Sequence, residues 1–145
     1  MKRKLGIGLL LYSALLCGGC KDPYGSCEKA ALDIGNGIAA GMKTVDQLRV
    51  QGLISVQEET NVLGYLEFAN KGNGAFGACV QSAHTAGSKA GAYTACAQTF
   101  STALANPQSL ALIHVNNPQA QQDVQVIVNA VNTGITALLS GLGGK

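Results

Sequence analysis

Apolar residues recur every three or four positions along most of this chain, beginning near Pro23. Over Pro23–Val50 the recurring positions are Cys27, Ala31, Ile34, Ile38, Met42, Val45 and Leu48. This spacing places them on one face of an α-helix, so we predict a helix over this range. Gly52 follows shortly after, and glycine is a typical helix terminator because it adopts the left-handed conformation without strain.

A second row of regularly spaced residues, within residues 55–85, contains one polar member. The row consists of Val62, Leu66, Ala69, Asn73, Phe76, Val80 and Ala83. The sequence Lys-Gly-Asn-Gly at 71–74 is also typical of a turn, which would divide the segment into two helices. Because Phe76 follows Ala69 by seven residues, the row stays in phase, and we favour one long helix. Each glycine would weaken that helix by about 1 kcal/mol.

Three more helices are predicted, over residues 88–105, 107–115 and 118 to about 142. The last has two separate stripes. Its apolar stripe consists of Val124, Ile127, Val128, Val131, Ile135, Leu138, Leu139 and Leu142, and its polar stripe of Gln125, Asn129, Asn132, Thr136 and Ser140. This separation predicts an amphipathic helix packed in a bundle, because a lipid-facing span would be apolar all round.

Helix-start signals agree with these boundaries. All three prolines follow Asp or Asn, in the pairs 22–23, 106–107 and 117–118. Asp and Asn are favoured N-caps, and proline suits the first helical position. Ser55 and Glu58 have the spacing of a capping box. We therefore predict an all-α protein: an up-and-down antiparallel bundle of four main helices joined by short connections, forming a single domain over residues 20–145.

Composition supports a folded domain. The chain has 145 residues, of which 47% are hydrophobic and 12% charged. This length suffices to bury a core, and the low charged fraction excludes a solvated disordered chain.

The first twenty residues have the pattern of a bacterial export signal. Lys2, Arg3 and Lys4 precede an apolar run at 5–16, which is too short to span a bilayer. We predict a signal peptide over residues 1–19. The junction resembles a lipoprotein signal, in which a small residue precedes a cysteine that becomes lipidated. Gly19 before Cys20 fits this pattern.

Lipidation at Cys20 would anchor the protein in a membrane, facing the periplasm or the cell surface. Cys17 departs from the pattern, because lipoprotein signals usually carry leucine three positions before the lipidated cysteine. The alternative is ordinary cleavage near Gly19, which would release a soluble periplasmic or secreted protein.

Removing the signal changes the charge of the chain. Three of the ten Lys and Arg residues lie in it, so the mature chain has seven against eight Asp and Glu, a net charge of −1. Because little positive charge remains to neutralise phosphates, we do not expect nucleic-acid binding.

The glycine motifs have structural interpretations. Residues 72–77 match G-x-G-x-x-G, but a helical pattern precedes them, and no acidic residue occurs between Glu67 and Asp123. We therefore predict no nucleotide site. Gly37 and Gly41 form G-x-x-x-G on a helix that also carries charges, which predicts close helix packing inside the bundle.

The two histidines, His84 and His114, fall in the predicted last turns of helices, where the helix dipole favours a cation. They lie in no recognisable metal or catalytic motif. We predict no catalytic, metal-binding or cofactor-binding set of residues.

The cysteines predict a disulfide, because export places them in an oxidising compartment. If the second and third helices form a hairpin about Gly87, Cys79 and Cys96 lie at similar heights. Cys27, near the start of the first helix, belongs to the same end of the bundle. We favour a Cys79–Cys96 bridge, and a Cys27–Cys79 bridge is the alternative.

These features predict an exported bacterial envelope protein with a structural or partner-binding role and no evident catalysis. Its partner would be another envelope protein or a second copy, and a lipid on Cys20 would tie it to the membrane. One alternative is a membrane-active or oligomerising protein that uses the last helix. Another is a carrier of a small apolar ligand held between helices.

Overall fold

The computed structural model describes residues 22–143, which are helical and contain no strand. The helices are α1 (Pro23–Val50), α2 (Val56–Thr85), α3 (Ala90–Leu104), α4 (Pro107–Leu110) and α5 (Pro118–Gly143), with a 3₁₀ turn (Ala111–Ile113) directly after α4. The all-α prediction is confirmed over this range. The signal peptide over 1–19 and the lipidation site at Cys20 lie outside it.

The four long helices pack into a bundle around one core. α1 packs against α2 and α5, and α3 packs against the same two helices. The 3₁₀ turn packs on α2. The largest fully buried side chains are those of Tyr65, Ile38, Leu66, Leu104, Ile135, Val45, Val62, Val115 and Val124. They come from all four long helices and from the connection before α5, so a single core joins the whole described range.

The helix-start signals act as the sequence predicts. The side chains of Asp22, Asn106 and Asn117 each accept backbone N–H groups two or three residues further on, at 2.9–3.1 Å. Ser55 and Glu58 form a complete capping box, in which each side chain accepts the backbone N–H of the other residue. These bonds satisfy N–H groups that have no partner inside a helix.

Two predicted boundaries are wrong by a few residues. The third helix begins at Ala90 rather than at Ser88, after the extended residue Lys89. The helix predicted over 107–115 ends as a 3₁₀ turn at Ile113. The chain leaves the helix there because side chains take over its N–H groups: Gln121 Oε1 accepts from the Val115 N–H at 2.8 Å.

Residues 71–74 do not form a turn. α2 runs without a break from Val56 to Thr85, and Asn73 lies in its buried row with 9% of its surface exposed. Gly52 and Gly87 do terminate helices, with φ angles of +71° and +64°. Both positions need the left-handed conformation that glycine adopts readily.

The G-x-x-x-G prediction holds at Gly41 and fails at Gly37. A Cβ added at Gly41 would lie 2.5 Å from Cγ2 of Ile127, so α5 approaches α1 there as closely as a glycine permits. At Gly37 no atom lies within 4 Å of the corresponding position. Four residues advance a helix by slightly more than one turn, and this rotates Gly37 away from the line of closest approach.

Candidate functional site

A cleft of about 300 Å³ opens between α1 and α2, where α1 begins and α2 approaches its end. Its lining residues are Tyr24, Glu28, Ala31, Leu32, Asn73, Gly74, Gly77, Val80 and Gln81. The volume is at the lower end of the range found for small-molecule sites in proteins. Within the described range this cleft combines a cavity with several polar side chains, which makes it the candidate functional site.

The cleft has two walls, one formed by α1 and the other by α2, and the residues of each wall recur at helical spacing. The α1 wall consists of side chains one and two turns apart, starting at Tyr24, and the α2 wall begins at Asn73 and ends at Gln81. Gly74 and Gly77 contribute no side chains to the α2 wall. No atom lies within 4 Å of the position that a Cβ would occupy at either glycine. The space beside both glycines is therefore open.

Tyr24 connects the two walls. Its hydroxyl donates to Oε1 of Gln81 at 2.9 Å and lies 3.3 Å from Oε1 of Glu28. Its ring stacks on the ring of His84, with centroids 3.8 Å apart and planes 18° apart. Loss of hydration, and then the neighbouring carboxylate of Glu28, raise the pKa of the Tyr24 hydroxyl. The hydroxyl therefore remains protonated at neutral pH and acts as a donor.

Asn73 places a buried amide in the α2 wall. Its Nδ2 donates to the backbone carbonyl of Ala31 across the helix interface at 2.8 Å. Its Oδ1 is buried, and no group within residues 22–143 donates a hydrogen bond to it. Buried acceptors are almost always paired, so this atom is an exception that needs an explanation.

The cleft is lined by apolar side chains together with the acceptor oxygens of Glu28, Asn73 and Gln81. Glu28 is the one lining residue that carries a charge at neutral pH. Leu32 is 65% exposed, so it extends the apolar part of the lining into solvent.

The disulfide lies at the same end of the bundle. Cys79 of α2 and Cys96 of α3 are bonded, with their Cα atoms 5.8 Å apart. This confirms the favoured pairing, and the alternative Cys27–Cys79 bridge is not formed. Cys27 lies buried in the first turns of α1. α2 and α3 form a hairpin with a short connection, which brings Cys79 and Cys96 to the same level along the bundle. Cys27 lies on α1, outside this hairpin.

The two histidines lie in different elements of the fold. His84 occupies the last turn of α2, as predicted, and stacks on Tyr24. His114 lies after the 3₁₀ turn in extended backbone rather than within a helical turn. Between residues 22 and 143, no group of three or more His, Cys, Asp or Glu side chains is arranged to hold a metal ion.

α5 is the one helix in the described part of the chain that is long and apolar enough to cross a membrane, with a mean hydropathy of 1.5 over an 18-residue window. Length and composition alone give this result, and core helices of soluble proteins pass the same test. Seven residues of α5 are buried in the bundle. Its opposite face exposes Gln125, Val126, Asn129, Thr133, Thr136 and Ser140, while Asn132 is half-buried.

The cleft is not predicted by the pattern of residues along the chain. The signal that was available is Asn73, the one polar member of an otherwise apolar row. Tyr24, Glu28 and Gln81 gave no signal, because exposed polar residues at helical spacing are ordinary. Comparisons with protein-family models, curated proteins and solved structures found no match to this chain.

Proposed function

We propose that this chain is an exported envelope protein, anchored by a lipid on Cys20, with a structural or partner-binding role. The observation that carries the proposal is the Cys79–Cys96 disulfide, because such bridges persist in oxidising compartments outside the cytosol. The signal-like pattern of residues 1–20 supports the same location, and α1 starts at Pro23, three positions after the proposed anchor. We propose no catalytic role.

The proposed architecture is a single domain over residues 20–145, arranged as an up-and-down antiparallel four-helix bundle. Short connections at 51–55 and 86–89 support the antiparallel order of α1, α2 and α3. Contacts at both ends of the bundle agree with the antiparallel order. Tyr24 of α1 meets Gln81 near the end of α2, and Glu58 near the start of α2 accepts the Asn116 N–H before α5.

This arrangement places the cleft and the disulfide at the anchored end. α1 has 28 residues, so at 1.5 Å per residue the opposite end of the bundle lies about 40 Å from the anchored end. The outer face of α5 runs along this length without a charged side chain after Asp123. Amide and hydroxyl groups on that face suit a partner recognised by hydrogen bonds rather than by charge.

Mass spectrometry of the mature protein from membranes tests the anchor. We expect an N-terminal acylated cysteine at position 20, and we expect no acylated N-terminal peptide from the Cys20→Ser variant. An unmodified mature N-terminus in the soluble periplasmic fraction would contradict the lipid anchor while leaving export intact. Full-length protein with an uncleaved leader in the cytosol would contradict both.

The second candidate is a membrane-active or oligomerising protein that inserts or self-associates through α5. The length and apolar composition of α5 favour this function, and so does the exposed side chain of Val126 on the same helix. The burial of α5 residues against α1 and α3 favours the bundle instead. Light scattering after size exclusion separates the two candidates when the mature chain, residues 20–145 with Cys20→Ser, is used. The bundle proposal expects the same protein mass with and without detergent and no retention on lipid vesicles.

A further inference from the structure

We propose that Cys79 is a modification site, at which a low-molecular-weight thiol of the cysteine or glutathione class opens the bridge to Cys96 and becomes attached. This site goes beyond the envelope role and does not depend on the lipid anchor. The bridge is then a reversible link between α2 and α3 rather than a permanent one.

The two cysteines of the bridge differ in accessibility. Cys79 is exposed on α2, whereas Cys96 belongs to the core, with 4% of its surface exposed. Thiol–disulfide exchange begins when a thiolate attacks one sulfur of the bond, and its rate depends on which sulfur is attacked and on access to that sulfur. An external thiolate therefore reacts at Cys79 in preference to Cys96.

The surface around the bridge leaves room for an incoming thiol. Residues three or four positions apart are neighbours on a helix surface, and for Cys79 these include the exposed residues Ala75 and Ser82. The corresponding exposed neighbour of Cys96 on α3 is Thr99. These three side chains are short and uncharged, so they present neither a long side chain nor a negative charge to an approaching thiolate.

The exchange needs no reactant other than the thiol. Its thiolate forms a bond to Sγ of Cys79 while the bond between Cys79 and Cys96 breaks, and the electron pair leaves on Sγ of Cys96, which takes a proton from water. The Cys96 thiol keeps its place in the core, where cysteine behaves as a small apolar residue. Attack by Cys96 on Cys79 reverses the reaction, expels the small thiol and restores the bridge.

Packing holds the two cysteines within reach of each other while the bridge is open. α3 buries Tyr93, Ala97, Phe100 and Leu104, and the ring of Phe100 stacks on that of Phe76 in α2 with centroids 5.8 Å apart. These contacts do not depend on the bridge. Modification of Cys79 therefore loosens the link between α2 and α3 without separating the helices.

The test treats the folded mature chain, residues 20–145 with Cys20→Ser, with excess reduced glutathione at pH 7. Adding N-ethylmaleimide together with denaturant after a short time stops the exchange and labels every thiol. Trypsin cleaves after Lys71 and Lys89, so Cys79 is recovered in peptide 72–89 and Cys96 in peptide 90–145.

We expect glutathione on peptide 72–89 and maleimide on peptide 90–145, with about ten-fold more glutathione on the first peptide than on the second, because reactivity follows exposure. Equal amounts of glutathione on the two peptides, or an excess on peptide 90–145, would overturn the proposal. So would the absence of any mixed disulfide before denaturant is added.

Two variants separate accessibility from intrinsic reactivity. Cys96→Ala keeps the exposed cysteine of the pair, and Cys79→Ala, the matched control, keeps the buried one. Both retain Cys27, so any contribution from that residue is common to them. With a dithiobis(nitrobenzoate) reagent, the folded Cys96→Ala protein should react about ten-fold faster than Cys79→Ala, and concentrated guanidinium chloride should make the two rates equal. Equal rates in the folded proteins would contradict the assignment of Cys79.

Discussion

The side-chain amide of Asn73 donates to the backbone carbonyl of Ala31 at 2.8 Å, and this bond joins α2 to α1 inside the bundle. The other half of the amide, Oδ1, is buried without a donor from the described residues. One net hydrogen bond contributes about 1 kcal/mol, whereas a buried unpaired acceptor costs about 1–3 kcal/mol. By these magnitudes the unpaired acceptor offsets the hydrogen bond, so Asn73 adds no net stability to the bundle.

Replacing Asn73 with leucine should stabilise the protein. Leucine has a similar size, favours helix more strongly and removes the unpaired acceptor, so the free energy of unfolding should rise by about 1–2 kcal/mol. Urea unfolding followed by circular dichroism measures the change. A loss of stability larger than about 1 kcal/mol would show that the bond from Asn73 to Ala31 outweighs the cost of the unpaired acceptor.

Local signals predicted the helices well, because each start depends on residues adjacent in sequence. Asn106 and Asn117 cap the helices that follow them, and the row through Asn73 stays in phase across a turn-like sequence. Such features depend on spacing and on side-chain hydrogen bonds, and both can be seen in the sequence.

The features that escaped prediction depend on contacts between distant residues. The premature end of the helix after Pro107 depends on Gln121 and Glu58 accepting N–H groups from the connection before α5. The cleft depends on Tyr24 meeting Gln81, which is 57 positions away. No local pattern marks either pairing, because the residues involved are ordinary exposed polar side chains in sequence.

Removing the disulfide should destabilise the bundle substantially. The bond between Cys79 and Cys96 closes a loop with a sequence separation of 17. In the chain-entropy model a loop of this length is worth about 3 kcal/mol. We expect the double variant Cys79→Ala/Cys96→Ala to lose about that much in urea unfolding without a reductant.

Reductant provides the control for this prediction. Dithiothreitol should lower the parent's stability to that of the double variant and leave the double variant unchanged. Peptide mapping without reduction should recover the Cys79 and Cys96 peptides as one linked species. Insensitivity of the parent to dithiothreitol, or a linked peptide that contains Cys27, would contradict the prediction.

Glu58 should make stability depend on pH in the acid range. Its carboxylate accepts the backbone N–H groups of Ser55 and Asn116, each at 2.7 Å. These bonds, that of Ser55 first, lower the pKa of Glu58 from 4.5 to about 2. Because the folded pKa lies below the unfolded one, the carboxylate stabilises the fold above pH 4.5, and this contribution is lost as pH falls toward 2.

Thermal unfolding of the parent and of Glu58→Gln between pH 7 and pH 2 measures this effect. Glutamine does not titrate, and its single side-chain oxygen can accept only one of the two N–H groups. The parent should therefore be the more stable protein at pH 7, and the difference should shrink between pH 4.5 and pH 2. A constant difference across this range would show that the charge of Glu58 contributes nothing to folding.

Two glycines on α1 should respond to alanine in opposite directions. At Gly41 the added Cβ would lie 2.5 Å from Cγ2 of Ile127, so Gly41→Ala must push α5 away or distort a buried side chain. Overpacking of this kind typically destabilises a core by about 1–3 kcal/mol. Gly37→Ala meets no atom within 4 Å and gains the helix propensity of alanine, about 1 kcal/mol. Urea unfolding of both variants should thus give shifts of opposite sign, and equal shifts would mean that α5 does not pack on α1 at Gly41.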